Sequence, residues 1–239
     1  MLAWALGALI IMGASFVMGL AGFGIGLVSL ALLPYVMSPA DAIVLMTLYA
    51  AAFALAIFVP VRHDFTSGRV GDLVLGTVAG TPLGVWALAS VEASLLNRLI
   101  GLMLLVAVAL EWRGRYPERL EGRRWGLGAG VLAGVIGGAV GTPGPPVVLY
   151  ATTQGWSPRA IKANLQAFFV VNQVVILAGY WWTGLLTREV WRLAALYAVP
   201  AIGGVAAGMA LFDRIDPVRF RRLVFALLFV SGLVLFARG

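Results

Sequence analysis

Two long stretches of this chain carry no charge at all, residues 1–40 and 125–158, and apolar runs separated by short polar turns fill most of the remainder. In chain order the pattern predicts an interrupted segment over 2–37, spans over 42–61, 70–90 and 95–112, a second interrupted segment over 125–155, and spans over 163–183, 193–212 and 223–237. The uninterrupted runs are near the roughly 20 apolar residues that a helix needs to cross a bilayer. The interruptions are Gly22-Phe23-Gly24-Ile25-Gly26 and Gly141-Thr142-Pro143-Gly144-Pro145-Pro146, set inside uncharged sequence. A helix broken in hydrocarbon leaves backbone groups that lipid cannot satisfy. Such breaks are tolerated only where protein buries them or where they line a wet cavity, which makes both of them candidate solute sites.

The interruptions belong to two copies of one unit. An offset of 119 superimposes Gly19 on Gly138, Gly22 on Gly141 and Ser38-Pro39 on Ser157-Pro158; with the offset grown to 124, Gly80 and Gly84 fall on Gly204 and Gly208, and Arg98-Leu99 on Arg222-Leu223. A five-residue insertion in the second copy, most easily placed in the turn around 184–192 where loop length is cheap, accounts for the change. The segment 125–155 is too long for one span and too short for two, so two half-helices meeting near mid-membrane fit its length. If it enters and leaves on one side, Arg62, the arginine-rich linker, Arg159 with Lys162, and the cluster from Arg214 to Arg222 share the cytoplasmic face, as retained basic loops should. A single crossing would put the two arginine clusters on opposite faces.

The expected fold is therefore an all-α integral membrane protein of two inverted repeats, each a re-entrant helical hairpin plus three transmembrane helices. Repeat 1 covers 1–112, a basic cytoplasmic linker 113–124, and repeat 2 125–239. An odd number of crossings per repeat inverts the second copy, an arrangement in which hairpin tips approach at the midplane of many secondary transporters.

Composition agrees with this class and removes others. Apolar residues make up 62% of the chain and charged ones 11%, which leaves no room for a soluble domain. Cysteine is absent, so no disulfide framework and no thiolate metal site is possible. The formal charge of +7 comes from arginines gathered between spans, a membrane signature and not a nucleic-acid one. No basic region precedes the first apolar run, so a cleaved signal peptide is not expected.

The paired glycine-rich segments, the Ser-Pro turn about a dozen residues after each and the repeat of about 120 residues resemble the TauE/SafE family of sulfite and organosulfonate exporters over essentially the whole chain. The resemblance implies a multi-pass transporter of small anions in the cell (inner) membrane. Gly-Pro-Pro in the second tip replaces part of the more glycine-rich segment usual in that family.

The tips carry chemistry of their own. The start of a half-helix exposes N–H groups and a partial positive charge, so an oxyanion can be held without a buried basic side chain. At the second tip the candidates are Gly141, Thr142, Pro143 and Gly144, with Pro145 and Pro146 suited to a first helical turn. At the first tip Gly22, Gly24, Ile25 and Gly26 are the equivalents, with Phe23 as a cavity wall. Gln166 and Asn172 are the candidate polar side chains; they, with Asn164 and Gln173, fall on Leu45, Thr47, Phe53 and Ala54 in the first copy, so the cavity is expected to be asymmetric. Packing between helices would explain these amides equally well, and for Gly80, Gly84, Gly204 and Gly208 close packing is the preferred reading.

All ten acidic residues fall in turns or near span ends, so no carboxylate is placed to hold a cation or relay a proton. The single histidine, His63, belongs to a basic turn. No cofactor or metal is expected, and no enzyme, because the chain has no cysteine and no mid-membrane histidine or acid to pair a nucleophile with a base. The expected partners are a small anionic substrate and the lipid bilayer; a homo-oligomer is compatible, nucleic acid is not. A passive anion channel and a structural membrane subunit remain as alternatives, the first separable only by flux against a gradient.

Overall fold

A computed structural model describes residues 2–66, 68–113, 120, 122–211 and 217–238. Eleven α-helices account for nearly all of them: α1 Leu2–Ala21, α2 Ile25–Leu32, α3 Pro39–Val61, α4 Val70–Ser90, α5 Ala93–Arg113, α6 Arg123–Val140, α7 Gly144–Thr152, α8 Pro158–Trp182, α9 Arg188–Leu196, α10 Ala198–Ala210 and α11 Pro217–Arg238. Five are long and apolar enough to cross a membrane, six if the bent pair α9 and α10 is counted as one span. The protein is thus an all-helical, multi-pass membrane protein. Arg115, Glu118, Arg119, Glu121, Phe212, Asp213, Arg214 and Asp216 lie outside the described residues.

The Ser-Pro pairs start helices. Ser157 Oγ accepts from Ala160 N–H at 3.2 Å, and Ser38 Oγ accepts from Asp41 N–H at 3.1 Å while donating to Asp41 Oδ2 at 2.6 Å. Each serine fills a helix N-cap and its proline the first helical position, where a missing N–H costs nothing. The turn Arg62–Asp64 is exposed, His63 included.

Both breaks are real, but their arms are unequal. α1 has 20 residues and α2 has 8; α6 has 18 and α7 has 9. At 1.5 Å per residue α1 is about 30 Å long, a bilayer span by itself and not half of one. The chain breaks where glycine supplies left-handed backbone, at Gly22 (φ 80°), Gly24 (φ 95°) and Gly141 (φ 67°), and these positions are not the midpoints of the apolar runs. A second departure concerns 193–212, expected as one span. It bends by 53° between α9 and α10 at Tyr197. Pro200 has no N–H to return to the carbonyl of Leu196, which removes a helical bond at that point.

The helices form two compact units. The first comprises Met1–Tyr49, Val91–Gly114 and Leu186–Gly239; the second comprises Ala50–Ser90 and Arg115–Leu185. In the first, α1 packs on α10 and α5 on α11; in the second, α4 packs on α6 and α8. The third span of each sequence copy therefore packs on the hairpin of the other copy. The contacts repeat residue for residue. A Cβ on Gly80 would meet the Val131 carbonyl oxygen at 2.2 Å, and one on Gly204 would meet that of Met12 at 2.2 Å; Gly84 faces Val135 and Gly208 faces Phe16 at the same distance. Met12 and Phe16 fall on Val131 and Val135 under the offset of 119 that the sequence shows. These glycines let backbones touch, the packing role small residues have in membranes.

Candidate functional site

The second tip is built by one sharp reversal. Gly141 N–H donates to Gly137 O at 2.8 Å, closing α6, as Gly22 N–H closes α1 on Met18 O at 2.7 Å. Gly141 therefore contributes its left-handed turn and not a donor. The chain then falls back along α6: a Cβ on Gly137 would meet Pro143 Cβ at 3.0 Å, and one on Gly126 would meet the Tyr150 hydroxyl at 3.1 Å. Pro145 and Pro146 occupy the first turn of α7, as their missing N–H groups suit. Gly141, Thr142, Pro143 and Gly144 are all buried.

The hairpin returns to the end at which it began. Gln154, just past α7, donates through Nε2 to Leu120 O at 2.9 Å, ahead of α6, and accepts from Arg69 Nη1, ahead of α4. Asp72 pairs with Arg123 at 3.3 Å at the same end. The second interrupted segment thus folds back on itself within its own unit.

α8 faces this hairpin along one ridge. The Tyr180 hydroxyl donates to Gly138 O at 2.8 Å, and Ile176 Cδ1 would lie 2.9 Å from a Cβ on Gly137. Asn172, Ile176 and Tyr180 are four residues apart in turn, so they share that face. Asn172 is fully buried; its Oδ1 accepts from Thr77 Oγ1 at 2.5 Å, and its Nδ2 makes no hydrogen bond among the described residues. Thr81 Oγ1 donates in turn to Thr77 O at 2.7 Å. Gln166 is buried on a different stripe, about 120° round the helix from Asn172. Asn164 serves packing: it accepts from Thr66 N–H at 2.9 Å and donates to Thr66 Oγ1 at 2.8 Å.

The first tip lies in the other unit. Gly22, Ile25 and Gly26 are buried there, while Phe23 and Gly24 are half-buried. A Cβ on Gly24 would touch Val17 at 3.7 Å, the same fall-back that Pro143 makes on Gly137. By helix geometry the first N–H groups of α2 have no intrahelical acceptor, and unlike α7 it spends no position of its first turn on proline.

Thr77, Thr81 and Tyr180 join the site region without having been singled out in the sequence. A signal for the threonines was present in the Gly76-Thr77, Gly80-Thr81 repeat along α4, where two of the glycines that admit α6 are each followed by a hydroxyl. Tyr180, near the end of a span, reads as an interfacial aromatic, and only its partner Gly138 O distinguishes it. Among the described residues no group of three or more His, Cys, Asp or Glu gathers as metal ligands.

The family model described as sulfite exporter TauE/SafE matches residues 7–235. No curated protein and no solved structure matches the chain.

Proposed function

The chain belongs to the sulfite exporter TauE/SafE family, and from that premise we propose that it is a secondary transporter, working as an exporter in the cell (inner) membrane, of small sulfur-containing oxyanions such as sulfite or organosulfonates. The observation that carries the reading is the second tip: a re-entrant break whose residues 141–144 are buried, opening into the first turn of α7, with an unsatisfied Asn172 amide on the helix beside it. N–H groups and the positive end of α7 favour an anion there without a buried cation. Gly141 shapes the turn; Thr142 and Gly144 offer donors; Pro143 closes the tip against α6. Asn172 adds an amide, and Gln166 a second polar group farther round α8. Gly22, Gly24, Ile25 and Gly26, with Phe23 as wall, form the corresponding site of the first copy.

In this reading the copies are inverted repeats that alternate access around the paired tips, and residues 1–112 and 125–239 are the units of duplication. The test is flux in vesicles of the purified chain, with sulfite, sulfate, thiosulfate, sulfoacetate, taurine and simple carboxylates each driven by an imposed gradient. Accumulation of one anion against the gradient of another supports a carrier. Flux that only follows the gradient makes the protein a channel, and absence of flux in inserted protein makes it a structural subunit.

A further inference from the structure

We infer that the first turns of α6 form a site for one phospholipid with an anionic headgroup, its phosphate on Arg124 and the start of an acyl chain in a notch at Gly128. Such a site is independent of the solute the chain carries. α6 has six glycines, and five of them are explained by packing. A Cβ on Gly126, Gly130 or Gly134 would lie 3.0 Å or less from α4, and one on Gly137 or Gly138 2.9 Å or less from Ile176 Cδ1 or Val85 N. Gly128 is exposed and an added Cβ meets nothing within 4 Å, so close approach of a neighbour does not account for it, and it weakens the helix. Its missing side chain leaves a notch on the side turned away from α4. Arg124 stands four residues before it, about 6 Å along the axis, and Leu132 four residues after; Trp125 flanks the notch from three residues before. All three are exposed.

Charge and shape together select the occupant. Arg123 is paired with Asp72 at 3.3 Å, whereas Arg124 has no hydrogen-bond or ion-pair partner among the described residues. The stretch 113–124 holds five arginines against two glutamates, and the first turn of α6 carries no acid to offset its positive end. A guanidinium binds phosphate through paired N–H groups, and an exposed indole beside it marks the level of the headgroups. A free anion would use Arg124 alone. The apolar walls of Trp125 and Leu132, about one turn either side of the notch, suit the hydrocarbon that follows a headgroup inward. The first copy lacks the site: under the offset of 119, Ala5 stands for Arg124 and the exposed Leu9 fills the place of Gly128. The lipid is therefore held in one leaflet only.

The experiment measures lipid retained by the full chain in detergent, by native mass spectrometry, after equal exposure to phosphatidylglycerol or phosphatidylcholine. Phosphatidylglycerol should be retained about five-fold more, equal to about 1 kcal/mol, the attraction of one basic residue to an anionic headgroup. Arg124→Gln should remove the preference and Arg124→Lys keep most of it. Gly128→Leu, which meets no obstacle, should lower retention of both lipids. Arg159→Gln, at an exposed arginine that starts α8, should leave the preference intact. Thermal unfolding in lipid-free detergent is expected to be unchanged in all four variants. Equal retention of the two lipids by wild type overturns the inference, and so does an Arg159→Gln effect equal to that of Arg124→Gln, which would mean a diffuse field. Displacement of the lipid by soluble glycerol phosphate, with Gly128→Leu without effect, overturns it in favour of a free phosphate on the arginine. Loss of a dimer in Gly128→Leu with lipid retention unchanged overturns it in favour of a second copy seated in the notch.

Discussion

Adding one methyl group at Gly204 separates close helix packing from mere glycine content. A Cβ there would lie 2.2 Å from the Met12 carbonyl oxygen, against the 3.4 Å at which ordinary contact begins, an overlap of more than about 1 Å with backbone that has no rotamer to move. α1 and α10 would have to part along their shared face, an overpacking cost of about 3 kcal/mol, the upper part of the usual range. The gain in helix propensity from Gly to Ala, at most about 1 kcal/mol, offsets part of this. Gly203, the adjacent residue on the same helix, has nothing within 4 Å of the added atom and keeps the propensity gain without the overlap. Thermal unfolding of the purified protein in detergent should thus put Gly204→Ala below wild type by about 4–8 °C, since 1 kcal/mol corresponds to about 2–4 °C at this size. Gly203→Ala should stay at or above wild type. Gly80→Ala, which meets Val131 as Gly204 meets Met12, should match Gly204→Ala. If Gly204→Ala proved as stable as Gly203→Ala, the two helices are not in backbone contact and the residue-for-residue repeat of the packing would be wrong.

Because the chain has no cysteine, Ser38→Cys and Ser157→Cys can be labelled with an impermeant thiol reagent; Ser38→Cys is expected to react from outside and Ser157→Cys from inside, and labelling of both from one face would remove the inverted repeat. Thr142→Asp should abolish anion flux and Thr142→Ser preserve it, with Thr142→Val losing up to about ten-fold in affinity if the hydroxyl bonds the substrate. Membrane insertion is scored in parallel, since a carboxylate at mid-membrane costs about 2.5–3.5 kcal/mol, and an inserted Thr142→Asp protein with wild-type flux would exclude this tip from the pathway. Asn172→Leu and Gln166→Leu should each weaken anion affinity with insertion intact, Asn172→Leu more; normal flux in both assigns the amides to packing.

Helix ends were readable because local chemistry writes them. Val70 and Ser90 bound a span in the pattern and in the structure alike, and Ser38 and Ser157 cap helices for reasons contained in three or four residues. The glycine pairs were readable as packing groups because two copies carried them in register. What the sequence could not give was the identity of the packing partner. An offset aligns Gly80 with Gly204 but says nothing of whether α4 meets the hairpin of its own copy or the other one, since both offer the same small residues. The unequal hairpin arms escaped for a related reason: hydropathy measures how much apolar chain there is, whereas the break falls wherever a residue can adopt positive φ. At the site, Asn172 was visible as a polar residue in an apolar run. Its orientation was not, because that is set by Thr77, 95 positions away along the chain. The inserted length shows the same limit. It was expected in a turn and emerges as the opening turns of α9, since under the offset of 124 the first residue of α4 falls on Ala194, inside that helix.

The interleaving of the two copies puts a clock on biogenesis. α1 leaves the ribosome ahead of the other described helices, yet its packing partner α10 is made only when residues 198–210 emerge. At roughly 5–20 residues per second that delay is about 10–40 seconds, during which the face with Met12, Phe16 and Gly19 has only lipid or an assembly factor beside it. The second unit closes earlier, once α6 and α8 exist, and so stands complete while the first still waits for its last three helices. A nascent chain released before α10 holds a finished half and an uncovered face of α1. Quality control in the membrane therefore has a defined feature to detect, and mutations that slow synthesis between α8 and α10 should burden assembly more than equal delays earlier in the chain.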